Sequence, residues 1–74
     1  MDSHNRQIKV HRPLTRDEID SINAVKVLAE GVGANIEVLE KMPDVDKRWL
    51  AIARTDLQKG FMSLTRAIAR PTTF

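Results

Sequence analysis

Between Thr15 and Pro71 apolar residues recur in steps of three and four along two stretches, and the break between them is Met42-Pro43-Asp44. That pattern leaves little choice of architecture. Residues three and four apart lie on one side of an α-helix, so each stretch draws a single apolar stripe along a helix. The first stripe is Ile19, Ile22, Val25, Ala29, Val32, Ile36 and Leu39; the second is Leu50, Ala53, Leu57, Phe61, Leu64 and Ile68. Thr15 and Glu18 have the spacing of a capping box, which places a helix start at residue 16. Pro43 disfavours a helical conformation in the residue before it, and Asp44 can cap the helix that follows. The pattern therefore predicts an arm over about 1–14, a helix over about 16–41 and a helix over about 45–70 ending before Pro71. Helices of about 25 residues run to roughly 38 Å, and a short turn makes them antiparallel neighbours. The expected fold is all-α: a two-helix hairpin with an N-terminal arm, forming one domain over residues 1–74.

A hairpin of 74 residues has a thin core of its own. There are no cysteines, so disulfides and thiolate-bound metals are excluded as sources of stability, and a reducing compartment is expected. Trp49, Ile52, Met62 and Ala69 lie off the second stripe and supply more apolar surface than one partner helix covers. Self-association into a compact homo-oligomer is the expected remedy. Gly31 and Gly33 each cost the first helix about 1 kcal/mol relative to alanine; they weaken it locally or mark a close approach by another backbone. No apolar run nears the roughly 20 residues of a membrane span, and the start MDSHNRQIKV lacks the apolar stretch of a signal peptide.

An enzyme needs a nucleophile with its base, a carboxylate pair or a metal set, and none of these patterns is present. His4 and His11 stand seven residues apart without a third ligand at a zinc spacing. Asp17, Glu18 and Asp20 occupy the first helical turn, where the helix dipole favours acids. The run GVG falls inside a helical pattern instead of between a strand and a helix, so it is no phosphate loop. A non-enzymatic chain with no cofactor and no metal is expected.

Binding asks for less: cations for phosphate and flat groups for stacking. Twelve Lys and Arg against ten Asp and Glu give a formal +2, too small a surplus for a non-specific binder of DNA or RNA. The distribution says more, because both ends of the chain are basic while residues 17–46 lean acidic. His11 beside Arg12 offers a ring next to a guanidinium, and Lys26 is the one cation of the first helix between Arg16 and Lys41. By itself Lys26 reads more readily as a side chain snorkelling from a helix interface. Arg54, Thr55, Arg66 and Arg70 belong to the second helix, where solvated surface charge is the ordinary role.

The runs RWLAIARTDLQKGFM and RAIARP, within DVDKRWLAIARTDLQKGFMSLTRAIARPTTF, resemble the C-terminal half of a small family of phage anti-CBASS proteins, the cyclic-nucleotide sponges. IKVHRPLTRDEIDSINAVK is similar to that family's arm and first helix, so the likeness covers nearly the whole chain. The resemblance implies a protein that acts in the cytoplasm of the bacterial host. There it sequesters cyclic di- and trinucleotide messengers without cleaving them, so that CBASS effectors are not activated. It also implies helical hairpins assembled into compact hexamers with ligands between protomers. The family's dinucleotide pocket pairs an aromatic residue of the arm with a lysine of the first helix; these positions fall on His11 and Lys26, with Arg12 adjacent. Many members carry tyrosine where this chain has His11, and imidazole offers a smaller stacking face. For the separate trinucleotide pockets the corresponding candidates are Arg54, Thr55, Arg66 and Arg70. The two rival readings of the residues are a small oligomeric nucleic-acid-binding regulator and a helical module without a ligand.

Overall fold

The computed structural model describes residues 13–72, which form two α-helices joined by a short turn. Helix α1 spans Arg16–Glu40 and begins on the expected cap. The Glu18 N–H donates to Thr15 Oγ1 at 3.1 Å while the Thr15 N–H donates to Glu18 Oε1 at 2.9 Å, so two backbone donors at the helix start are satisfied reciprocally. The helix passes through Gly31 and Gly33 without interruption. A Cβ built at either glycine meets nothing within 4 Å, so no contact inside the chain requires them to be small.

Lys41 closes α1, one residue earlier than the pattern suggests, and Met42 donates to the Leu39 carbonyl at 3.0 Å. The Val45 N–H then reaches back to the Met42 carbonyl at 3.4 Å, so Met42, Pro43, Asp44 and Val45 form one tight turn. Asp44 is consumed inside that turn and does not cap the next helix, contrary to expectation. The cap is Asp46, whose carboxylate accepts from the Trp49 N–H at 3.0 Å; helix α2 accordingly spans Lys47–Ala69, two residues later than the pattern places its start. The Lys47 ammonium donates to the Met42 carbonyl and ties the first residue of α2 to the turn. Arg70, at φ 48° and ψ 61°, ends α2 in the left-handed conformation and donates its N–H to the Arg66 carbonyl at 2.8 Å.

Two ion pairs join the helices, one near each end. Arg54 Nη1 meets Glu40 Oε2 at 3.0 Å close to the turn, and Arg70 Nη2 meets Glu18 Oε2 at 3.2 Å at the open end. The second pair spans 52 residues of sequence, as only an antiparallel hairpin permits. Between the pairs the apolar stripes face each other, yet among the described residues only Val25, Ile36 and Leu50 are buried. Ile19, Leu57 and Leu64 of the same stripes remain exposed. Off the stripes, Trp49 and Met62 are exposed at 61% and 67%, with Arg48 over the Trp49 ring at 5.4 Å, while Ile52 and Ala69 are half-buried. Val27, Leu28 and Val38 add exposed apolar surface on α1 that the stripe analysis passes over.

Candidate functional site

Two adjoining depressions run along the same side of the α1/α2 seam. One, of about 400 Å³, is lined by Val25, Lys26, Ala29, Phe61, Met62, Thr65 and Arg66. The other, of about 430 Å³, is lined by Ala29, Gly33, Ile36, Glu37, Arg54, Leu57, Gln58, Phe61 and Met62. Ala29, Phe61 and Met62 line both, so the two make one groove with a continuous apolar floor.

Helical geometry places these residues. Lys26, Gly33 and Glu37 stand seven and eleven residues apart in register, so they flank the buried stripe on one side of α1. Gly33 opens the groove by carrying no side chain. On α2 the residues Arg54, Gln58, Phe61, Met62, Thr65 and Arg66 follow one another at helical spacing along the facing wall. The Thr65 hydroxyl donates to the Phe61 carbonyl at 3.1 Å, so toward the groove it can only accept. Chemically, this is a place for a flat, partly apolar group on Phe61 and Met62 with an anion beside Lys26 and Arg66.

The residues singled out from the sequence are distributed unevenly about this groove. Lys26 and Arg66, assigned by resemblance to different pockets, line the same end of it. Lys26 is exposed, so its ammonium is not held in a dry helix interface within this chain. Arg54 lines the other end and is anchored there by Glu40. Thr55 faces elsewhere, into a shallow depression on α2 with Ala51, Ile52 and Asp56. Arg70 sits at the open end of the hairpin, engaged by Glu18. His11 and Arg12 lie outside the described residues. Phe61 and Met62, read from the sequence as a core position and as off-stripe surface for self-association, form the floor, and Glu37 and Gln58 were not singled out at all. The register of Glu37 with Lys26 was the available signal. Among the described residues no group of His, Asp or Glu is arranged to hold a metal ion, and no helix is long and apolar enough to cross a membrane.

Comparison with known proteins adds what geometry alone does not supply. Residues 4–69 match the family model described as the Acb2/Tad1 hairpin domain. The anti-CBASS protein 2 of Pseudomonas phage JBD67 is 32% identical over an alignment of 105 residues, which covers 96% of this chain and 97% of that protein. A match that takes in both helices, the turn and most of the arm, with a relative aligned almost end to end, is a match to the whole hairpin and not to a generic helix; the chain belongs to the Acb2/Tad1 hairpin-domain family.

Proposed function

We propose that this protein is an anti-CBASS sponge: it sequesters cyclic oligonucleotide messengers inside the bacterial host and thereby keeps CBASS effectors from being activated. The observation that carries the reading is the groove in which Lys26 and Arg66 stand beside an apolar floor of Phe61 and Met62, on a chain similar along its length to anti-CBASS protein 2. Each element has a use. A phosphate diester is a permanent anion and gains most from charge-assisted contacts with an ammonium and a guanidinium. A nucleobase has an apolar face that loses water on Phe61 and Met62.

The groove is open along its length, so one chain covers a ligand on one side only. In the proposed mechanism a second protomer closes it, and the exposed Val27, Leu28, Val38, Trp49 and Met62 are the surfaces through which protomers meet in a homohexamer. Twofold symmetry suits the ligand, because a cyclic dinucleotide presents two phosphates and two bases and a symmetric interface presents each protein group twice. His11 and Arg12 are proposed to complete the dinucleotide pocket. Arg54, Thr55, Arg66 and Arg70 are proposed for cyclic trinucleotides, which spread three phosphates over a wider ring. Binding without chemistry suffices for the role, since a ligand held with slow release is withdrawn from its effector. Arg54 is paired with Glu40 and Arg70 with Glu18, which leaves less uncompensated positive charge for a polyanion and favours a discrete ligand over DNA or RNA.

Native mass spectrometry of the purified protein with a panel of cyclic di- and trinucleotides tests the proposal. The expected result is a hexamer that takes up whole numbers of ligands, which are recovered intact after heat release. A monomer without adducts, or linearised products accumulating with time, overturns it.

A further inference from the structure

The two ends of the groove differ in charge: the charged residues at one are both cations, whereas the other holds a carboxylate. Lys26 and Arg66 line one end, and Glu37 and Gln58 line the other, over the shared floor of Phe61 and Met62. Arg54 also lines the second end, where its Nη1 is engaged by Glu40, a carboxylate outside the groove lining, at 3.0 Å. Among the described residues the side chains of Glu37 and Gln58 make no hydrogen bond or ion pair. An ionised carboxylate only accepts hydrogen bonds and repels phosphate. A cyclic dinucleotide whose phosphate sits beside Lys26 and Arg66 therefore satisfies Glu37 by bringing hydrogen-bond donors to it.

From this charge split we infer that Glu37 is a specificity-determining residue that selects cyclic oligonucleotides bearing guanine. The inference rests on the sponge reading above and narrows its ligand class. Guanine carries the N1–H and the exocyclic N2 amine side by side, two donors that match the two oxygens of one carboxylate. Adenine and cytosine each place a ring acceptor beside their amine, and uracil flanks its single N–H with carbonyls, so each would set a lone pair against Glu37. The Gln58 amide, which both donates and accepts, can reach the guanine O6 from the other wall. Eleven residues of α1 separate Lys26 from Glu37, about 16 Å of helix axis. That interval leaves room for a phosphate and its base between the two residues.

The test is calorimetric titration of the full-length protein and its Glu37→Gln variant with 3′,3′-cyclic GMP-AMP, its inosine counterpart lacking the N2 amine, and cyclic di-AMP. For the parent protein the guanine ligand should bind roughly tenfold or more tighter than cyclic di-AMP, with the inosine ligand between, because a carboxylate left facing an acceptor loses its hydrogen bonds. Glu37→Gln should bring the three affinities together while leaving cyclic di-AMP as tight as before or tighter. Glu37 is exposed, so an unchanged melting curve accompanies this result and excludes unfolding as its cause. Equal affinities in the parent protein, or a guanine preference that survives in Glu37→Gln, overturn the inference while the sponge reading stands. Failure of all three ligands to bind removes the inference together with the dinucleotide half of the sponge reading.

Discussion

Arg70 poses a problem that substitution can solve. It is the one non-glycine residue with positive φ among those described, and it sits at a helix end where glycine is the common choice. The left-handed conformation costs an L-residue about 1–2 kcal/mol, so the sequence accepts strain to keep this side chain. What the side chain reaches is Glu18, at 3.2 Å; Glu18 is 17% exposed and also holds the Thr15 N–H of the capping box. Arg70 itself is 67% exposed, so solvent screens the pair and its worth is under about 1 kcal/mol. Arg70→Ala loses the pair and keeps the strain, whereas Arg70→Gly loses the pair and relieves the strain. Their difference cancels the ion pair. Glycine gains chain entropy when unfolded, which offsets about 0.4–1 kcal/mol of that strain, so at the middle of both ranges Arg70→Gly should exceed Arg70→Ala in stability by about 0.8 kcal/mol. For a domain of this size that corresponds to a melting temperature higher by about 3–6 °C. Circular dichroism melts at one fixed protein concentration make the comparison, because association would otherwise shift the midpoints. Identical melting temperatures would show that Arg70 is not left-handed in solution, and the capping argument would fall with it.

Three further outcomes follow from the same geometry. Asp46→Ala should cost about 1 kcal/mol in a denaturant or thermal melt because the Trp49 N–H loses its acceptor, whereas Asp44→Ala should change stability by less than about 0.5 kcal/mol; the reverse order would restore Asp44 as the cap. Ile36→Ala, at one of the three buried positions, should cost about 2–3 kcal/mol, and a loss below about 1 kcal/mol would show that the seam at Ile36 is not a core. Lys26→Ala should weaken cyclic dinucleotide binding by about tenfold or more in calorimetry while sedimentation shows an unchanged oligomer; loss of the oligomer instead would make Lys26 a structural residue.

The helices were legible because their signals are local and redundant. Thr15 and Glu18 mark one start, the two stripes set the period, and Pro43 and Pro71 mark where each helix must stop. The turn was legible only in part: Asp44 and Asp46 have the same chemistry, and the choice between them depends on the Val45 to Met42 hydrogen bond, a property of the folded backbone. The groove was hardly legible. An apolar stripe separates inside from outside, but groove walls are built at the flanks of a stripe, where Lys26 and Glu37 look like ordinary surface charge. Phe61 and Met62 needed the opposite revision, since an apolar residue beside a seam can serve as floor for a ligand as well as core. Arg54 and Arg70 read as solvated cations because nothing in the sequence says that Glu40 and Glu18 stand across from them.

That the core is so small bears on how the proposed pocket would work. Val25, Ile36 and Leu50 are spread along a hairpin whose longer helix has 25 residues, so the seam is sealed at intervals and open between them. The groove exists because of those openings: Gly33 removes a side chain that would fill one, and of the shared floor Phe61 is only half-buried and Met62 exposed where a better-packed hairpin would bury both. A bulkier residue at Gly33 meets no atom of this chain within 4 Å, so any penalty it brings must come from outside the chain. Under the sponge reading that outside body is a ligand or the protomer that closes over it. The incomplete packing and the binding site are then one feature, and filling the groove to stabilise the hairpin should do so at the expense of the ligand.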